Sequence, residues 1–180
     1  MGRIRIIILM GLLLCLNSCS GHSVRKELES FFSQEIKFPS TLVACSGESA
    51  GAMSLLSDSI PKLIIYVDST QCSSCSVGHL SDYLPLYEES VQGKQFMLAV
   101  IISPPLANYG YIIHLLGTYS YPFPVYIDKN HSFRKENSFI PDDTRFHAFL
   151  LDVCNHLVMV GDPARGQKIQ HLFEQALAEL

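Results

Sequence analysis

The chain has 180 residues, 48% of them hydrophobic and 17% charged, with a formal net charge of -4. That is enough apolar material for one packed domain, and it excludes an intrinsically disordered acidic protein. The lysines and arginines are dispersed in an acidic chain, so the basic surface that nucleic acid demands is missing and nucleic-acid binding is set aside.

Arg3 and Arg5 precede an apolar run from Ile6 to Leu16, broken only by Gly11. The run is about half the ~20 residues a transmembrane helix needs, and its length suits the hydrophobic part of a secretory signal. It ends in Leu16-Asn17-Ser18-Cys19, which resembles the lipobox of bacterial lipoproteins. The resemblance implies a signal peptide over 1–18, cleavage before Cys19 and a diacylglyceryl group on the Cys19 thiol. More than one acyl chain anchors durably where one does not. The expected location is therefore the cell envelope, lipid-anchored to a bacterial membrane. With no acidic run after Cys19, the periplasmic face is favoured. An ordinary secretory signal with an incidental cysteine is the alternative.

Residues 19–35 are expected to form the anchor and linker, with an amphipathic helix from Ser23 to Phe32 whose Phe31 and Phe32 pack on the body. Residues 36–180 are expected to form one domain. Ile36 to Ala44 reads as a strand or hairpin arm with Pro39 at a turn or edge, and Ser46 to Ser59, rich in Ser, Gly and Ala, as a loop. Lys62 to Asp68 is a short apolar, β-branched run, predicted to be a buried central strand. Ser69 to Gln71 is a turn, and Cys72 to about Val91 has helical spacing, with Leu80, Tyr83, Leu84 and Tyr87 on one face and a bend at Pro85. Gln95 to Ser103 is a second buried strand, and Pro104-Pro105 opens a helix to about Leu116. Pro124 to Asp128 is a strand, and Asn130 to Thr144 is polar and loop-like. Phe149–Asp152 and Leu157–Gly161 form a hairpin. The closing helix, Arg165 to Leu180, places Ile169, Leu172, Phe173, Ala176 and Leu177 on its buried side. The order β-α-β-α-β-β-β-α predicts an α/β sandwich, a mixed central sheet flanked by helices.

With Cys15 lost in the signal and Cys19 in the anchor, the body keeps Cys45, Cys72, Cys75 and Cys154. An exported chain meets an oxidising compartment in which disulfides persist. Cys72 and Cys75 follow a buried strand and open a helix, and this context turns a commonplace Cys-x-x-Cys into a redox hypothesis. A sulfur at a helix start faces unpaired backbone N–H groups that favour thiolate. Cys72 would attack a substrate disulfide and Cys75 would resolve the mixed disulfide. Cys45 and Cys154 are expected to be buried small hydrophobes or a structural bridge, with Cys154 partly exposed in its turn.

From about Lys62 onward the chain resembles the thioredoxin-like proteins of the bacterial cell envelope, in the branch holding cytochrome-maturation thioredoxins and peroxiredoxins. It is also similar to Bacteroides-type thioredoxin-fold lipoproteins. The residues that carry this are Cys72-Ser73-Ser74-Cys75, Phe123-Pro124-Val125-Tyr126-Ile127-Asp128, Phe146-His147-Ala148-Phe149-Leu150-Leu151-Asp152 and Val160-Gly161-Asp162-Pro163. The resemblance implies a three-layer thioredoxin-like sandwich, thiol–disulfide exchange with protein substrates of the envelope, and no cofactor.

Departures from the family pattern add alternatives. Where a cis-proline would face the cysteines stands Phe146, followed by His147, which makes both candidates for the substrate groove; Pro122 or Pro124 is the other placement. Gln71 stands where the family has Trp, and Asp68 lies four residues before Cys72 instead of six. A dithiol opposite a histidine suits Cu(I), so Cys72, Cys75 and His147 form an alternative metal site, with His79 a further candidate at i+4 from Cys75. A hydrogen-bonded core histidine is the plainer reading of His147. A structural disulfide on a non-enzymatic surface lipoprotein is the plainer reading of the cysteine pair. Haem-attachment, zinc, phosphate-loop, serine-nucleophile and peroxidatic-cysteine patterns do not fit.

Overall fold

The computed structural model describes residues 19–46, 60–93 and 95–180. The expected signal peptide, the Leu16–Ser18 part of the lipobox-like motif, the Cys19 side chain and the 47–59 part of the Ser-rich loop lie outside them. Among the described residues, no helix is long and apolar enough to cross a membrane.

Among the described residues six strands form one sheet: β1 (Val43–Ser46), β2 (Lys62–Val67), β3 (Met97–Ile102), β4 (Val125–Ile127), β5 (Ala148–Leu151) and β6 (Leu157–Val160). Their spatial order is β1-β4-β3-β2-β5-β6. β2 is central, parallel to β3 and antiparallel to β5, and every residue of β2 and β3 is buried. A continuous apolar run is what a strand covered on both faces requires. Side chains of a strand alternate between faces, and the alternation builds two cores. Leu63, Ile65 and Val67 face one core, with Val77, Leu80 and Phe173. Ile64 and Tyr66 face the other, with Phe31, Phe133 and Ile140.

Among the described residues the helices are α1 (Cys19–Phe32), α2 (Ser73–Gly78), α3 (Leu84–Gly93), α4 (Tyr109–Tyr119), α5 (Ser132–Glu136) and α6 (Gln167–Ala178). Helices thus cover both faces of the mixed sheet, the predicted three-layer sandwich.

Several elements differ from expectation. The strand predicted over Ile36–Ala44 shrinks to Val43–Ser46. Pro39 instead turns the chain, its carbonyl accepting from Leu42 N–H, while Ile36 and Leu42 stay buried. The helix predicted from Cys72 to Val91 is broken at His79, and a 3-10 turn (Leu80–Tyr83) separates α2 from α3. Pro85 falls in the first turn of α3, where a missing N–H leaves no helical bond unmade. The stretch read as a loop over Asn130–Thr144 contains α5. Its first N–H groups, those of Ser132 and Phe133, donate to the Asp128 carboxylate. Phe31 is fully buried, as expected of a residue packing on the body, whereas Phe32 and Leu172, also expected to pack, are exposed.

Candidate active site

The carboxyl-terminal ends of β2, β3 and β4 and the start of β5 lie at the same end of the sheet. At that end β2 runs into a turn built on Asp68. Its carboxylate accepts from Thr70 N–H at 2.8 Å and from the Tyr66 hydroxyl at 3.2 Å, and its carbonyl accepts from Gln71 N–H at 3.0 Å. Burial alone would raise the Asp68 pKa, but these hydrogen bonds outweigh it and hold the carboxyl below its ordinary value. Asp68 is thus committed to shaping the turn.

Cys72 is the N-cap of α2, with φ -70° and ψ 91°. Its Sγ accepts from Cys75 N–H at 3.4 Å and lies 3.5 Å from Ser74 Oγ, while its carbonyl accepts from Ser76 N–H at 2.9 Å. Cys72 and Cys75 form a disulfide, with Cα atoms 5.3 Å apart, and both residues are exposed. Because α2 has only six residues, the positive potential at the sulfur comes from the nearest N–H groups more than from a long helix dipole.

Beside the disulfide lies a cleft of about 590 Å³. Ile65, Val67 and Ala148 supply an apolar floor, and Arg145, Asp162 and Arg165 a charged rim. The far wall is pinned by Asp162, which accepts from the Tyr83 hydroxyl at 2.7 Å and from Arg165 Nε at 3.2 Å. Of the two groove candidates, His147 lines this cleft; Phe146 does not, and Thr144 and Arg145 stand in its place. Phe146 instead packs under the Arg145 guanidinium, 5.7 Å from it. Pro122 and Pro124 do not line the cleft either, so the segment before β5 is the one opposite the cysteines. No peptide bond among the described residues is cis.

His147 is 3% exposed. Its Nε2 lies 2.8 Å from the Pro141 carbonyl and its Nδ1 3.1 Å from Gln71 Nε2. Burial pushes the ring's pKa below the ordinary imidazole value, and the bond to Pro141 works the other way. Both ring nitrogens are therefore taken, as in a hydrogen-bonded core histidine, and neither is turned outward as a ligand. Among the described residues, no group of three or more His, Cys, Asp or Glu side chains is placed to hold a metal ion. His79 is at the carboxyl-terminal cap of α2 and on the cleft wall. Cys45, on β1, is half-buried and Cys154, in the β5–β6 turn, is exposed; both are free thiols and do not pair.

Sequence reasoning missed Gln71 as the partner of His147, and Arg145, Tyr83 and Arg165 as cleft residues. Only the Asp162/Arg165 spacing of three gives a local signal; the rest depends on contacts across the fold.

No family model matches the chain, and neither does any curated protein sequence. Solved structures do match. A "putative protein disulfide isomerase" from Bacteroides thetaiotaomicron is 14% identical with a TM-score of 0.53, over 81% of this chain and 87% of that one. A "putative Thiol:disulfide interchange protein DsbE" from Chlorobium tepidum is 15% identical with a TM-score of 0.53, over 80% and 97%. An uncharacterized conserved protein from Geobacillus kaustophilus is 14% identical with a TM-score of 0.53, over 81% and 82%. At such identities the likeness speaks for architecture alone, and with the mixed six-stranded sheet it establishes that the chain has a thioredoxin-like α/β fold.

Proposed function

We propose that this protein performs thiol–disulfide exchange with protein substrates of the cell envelope, Cys72 being the attacking sulfur and Cys75 the resolving one. The observation that carries the reading is the exposed Cys72–Cys75 disulfide at a helix start, where a buried central strand ends beside an open cleft. In the reducing direction the Cys72 thiolate attacks one sulfur of a substrate disulfide, and the other substrate sulfur leaves as thiolate. Cys75 then attacks Cys72 Sγ, closing the internal disulfide and releasing the second substrate thiolate. The same steps reversed oxidise a substrate dithiol. The Cys75 N–H directed at Cys72 Sγ stabilises charge on that sulfur in both directions. Names of the structural neighbours agree with this chemistry. The lipobox-like Leu16–Cys19 motif supports anchoring of the chain to a bacterial membrane through lipidated Cys19, with the domain facing the periplasm.

Substrate trapping tests the reading. Cys75→Ser is expected to accumulate mixed disulfides through Cys72 that a reductant releases, and Cys72→Ser/Cys75→Ser none. Equal trapping by both would refute the assignment.

A further inference from the structure

His147 joins two segments far apart in sequence, Pro141 on one side and Gln71 on the other. A carbonyl oxygen can only accept, so the hydrogen sits on Nε2. The neutral ring then presents a lone pair at Nδ1, which accepts from the Gln71 amide N–H. Tautomer and amide orientation fix each other. Gln71 immediately precedes Cys72, and the Tyr66 N–H donates to the His147 carbonyl at 2.8 Å, so the ring is held to β2 by its own backbone. A rigid ring on the sheet therefore grips the side chain next to the attacking cysteine.

Resting on the exchange reading above, we propose that His147 is a positioning residue for Cys72, acting through Gln71. The groups that face the ring are accounted for. From β2 and its turn come the Tyr66 ring, with centroids 5.1 Å apart, and Asp68; from α5 comes Arg134; from the following loop come Asp142 and Asp143. Asp68 is bonded to Thr70 and Tyr66, Asp142 to Arg134, and Asp143 to Arg145. Each carboxylate thus has its own partner, which leaves Gln71 as the polar side chain that the ring's Nδ1 engages.

A double-mutant cycle on Gln71 and His147 tests this, read as the rate at which Cys72 of the reduced full chain exchanges with a small aromatic disulfide. Gln71→Leu keeps bulk and removes the donor; His147→Phe keeps the aromatic ring and removes the acceptor. Each is expected to slow exchange about fivefold, the equivalent of one neutral hydrogen bond, and the double variant no more than either single one. Slowing that multiplies in the double variant, or no slowing by Gln71→Leu, overturns the proposal. Two readings by nuclear magnetic resonance hold even if His147→Phe does not fold. Neutral His147 is expected to be the Nε2–H tautomer, and the Nδ1–H tautomer would contradict the proposal. In Gln71→Glu a carboxylate that only accepts must pair with a ring protonated at Nδ1, so the His147 titration midpoint rises by about one pH unit; an unmoved midpoint counts against coupling. A wild-type chain that does not exchange at all refutes the functional reading instead.

Discussion

Two segments meet at the cysteine-bearing end of the sheet, and they are held in different ways. The turn from Asp68 to Ser76 is held by neighbours in sequence: the Asp68 carboxylate and carbonyl take Thr70 and Gln71, and the Cys72 carbonyl takes Ser76. The stretch from Asp128 to His147 is tied, in addition, to partners far away in sequence. Asn137 donates to the Lys37 carbonyl and accepts from the Lys37 N–H, both at 2.8 Å across a hundred residues. Phe133 packs on Tyr66 at 5.0 Å, while within the stretch itself the Arg134 guanidinium clamps the Ile140 carbonyl and Asp142. The comparison separates two jobs. The cysteine pair sits on a locally determined turn, and the wall beside it depends on the integrity of the whole fold.

The largest expected effect falls on the turn. Cys72→Ser should abolish exchange with any disulfide, while Cys45→Ser and Cys154→Ser leave the rate unchanged, since neither thiol lines the cleft. Residual exchange in Cys72→Ser would place the chemistry elsewhere. The wall should answer in stability. Phe133→Ala removes a fully buried ring and is expected to cost about 3–5 kcal/mol in denaturant unfolding; a loss below about 1 kcal/mol would mean that this helix does not hold the wall. Asn137→Ala leaves the Lys37 N–H without its acceptor and should cost about 1–3 kcal/mol, with little effect on exchange once the chain is folded. The smallest effect is in acid. His147 is buried with its pKa lowered, so the unfolded chain takes up this proton first as pH falls. The stability His147 contributes is complete above its ordinary value near 6.5, and is lost as pH drops from there through its lower folded value. Denaturant midpoints of wild type and His147→Phe measured from pH 8 to 4 would show it as a difference in acid slope.

The same contrast decides what could be read from the chain alone. β2 and β3 were legible because covering both faces of a strand demands an unbroken apolar run. The cysteine pair was legible because its context, strand before and helix after, is written in adjacent residues. The short helix around Phe133 was not. Five residues offer too little periodicity, and Asn137 and Ile140 owe their burial to partners across the fold. Phe146, expected at the groove, is turned from it by a local cause: three residues in a 3-10 turn (Thr144–Phe146) redirect the side chains before β5 begins, so that Thr144 and Arg145 take that wall. Gln71 registered in the sequence only as a missing Trp. Its partner stands 76 residues away, beyond any local pattern.

A redox titration of the full chain against glutathione or dithiothreitol buffers, following Cys72 and Cys75 by alkylation, bears most directly on whether this disulfide is a working one. An exposed pair with the Cys75 N–H directed at its leading sulfur should have a potential above about -300 mV, among exchange catalysts. A potential below that value would make the bond a structural staple and contradict the proposed chemistry.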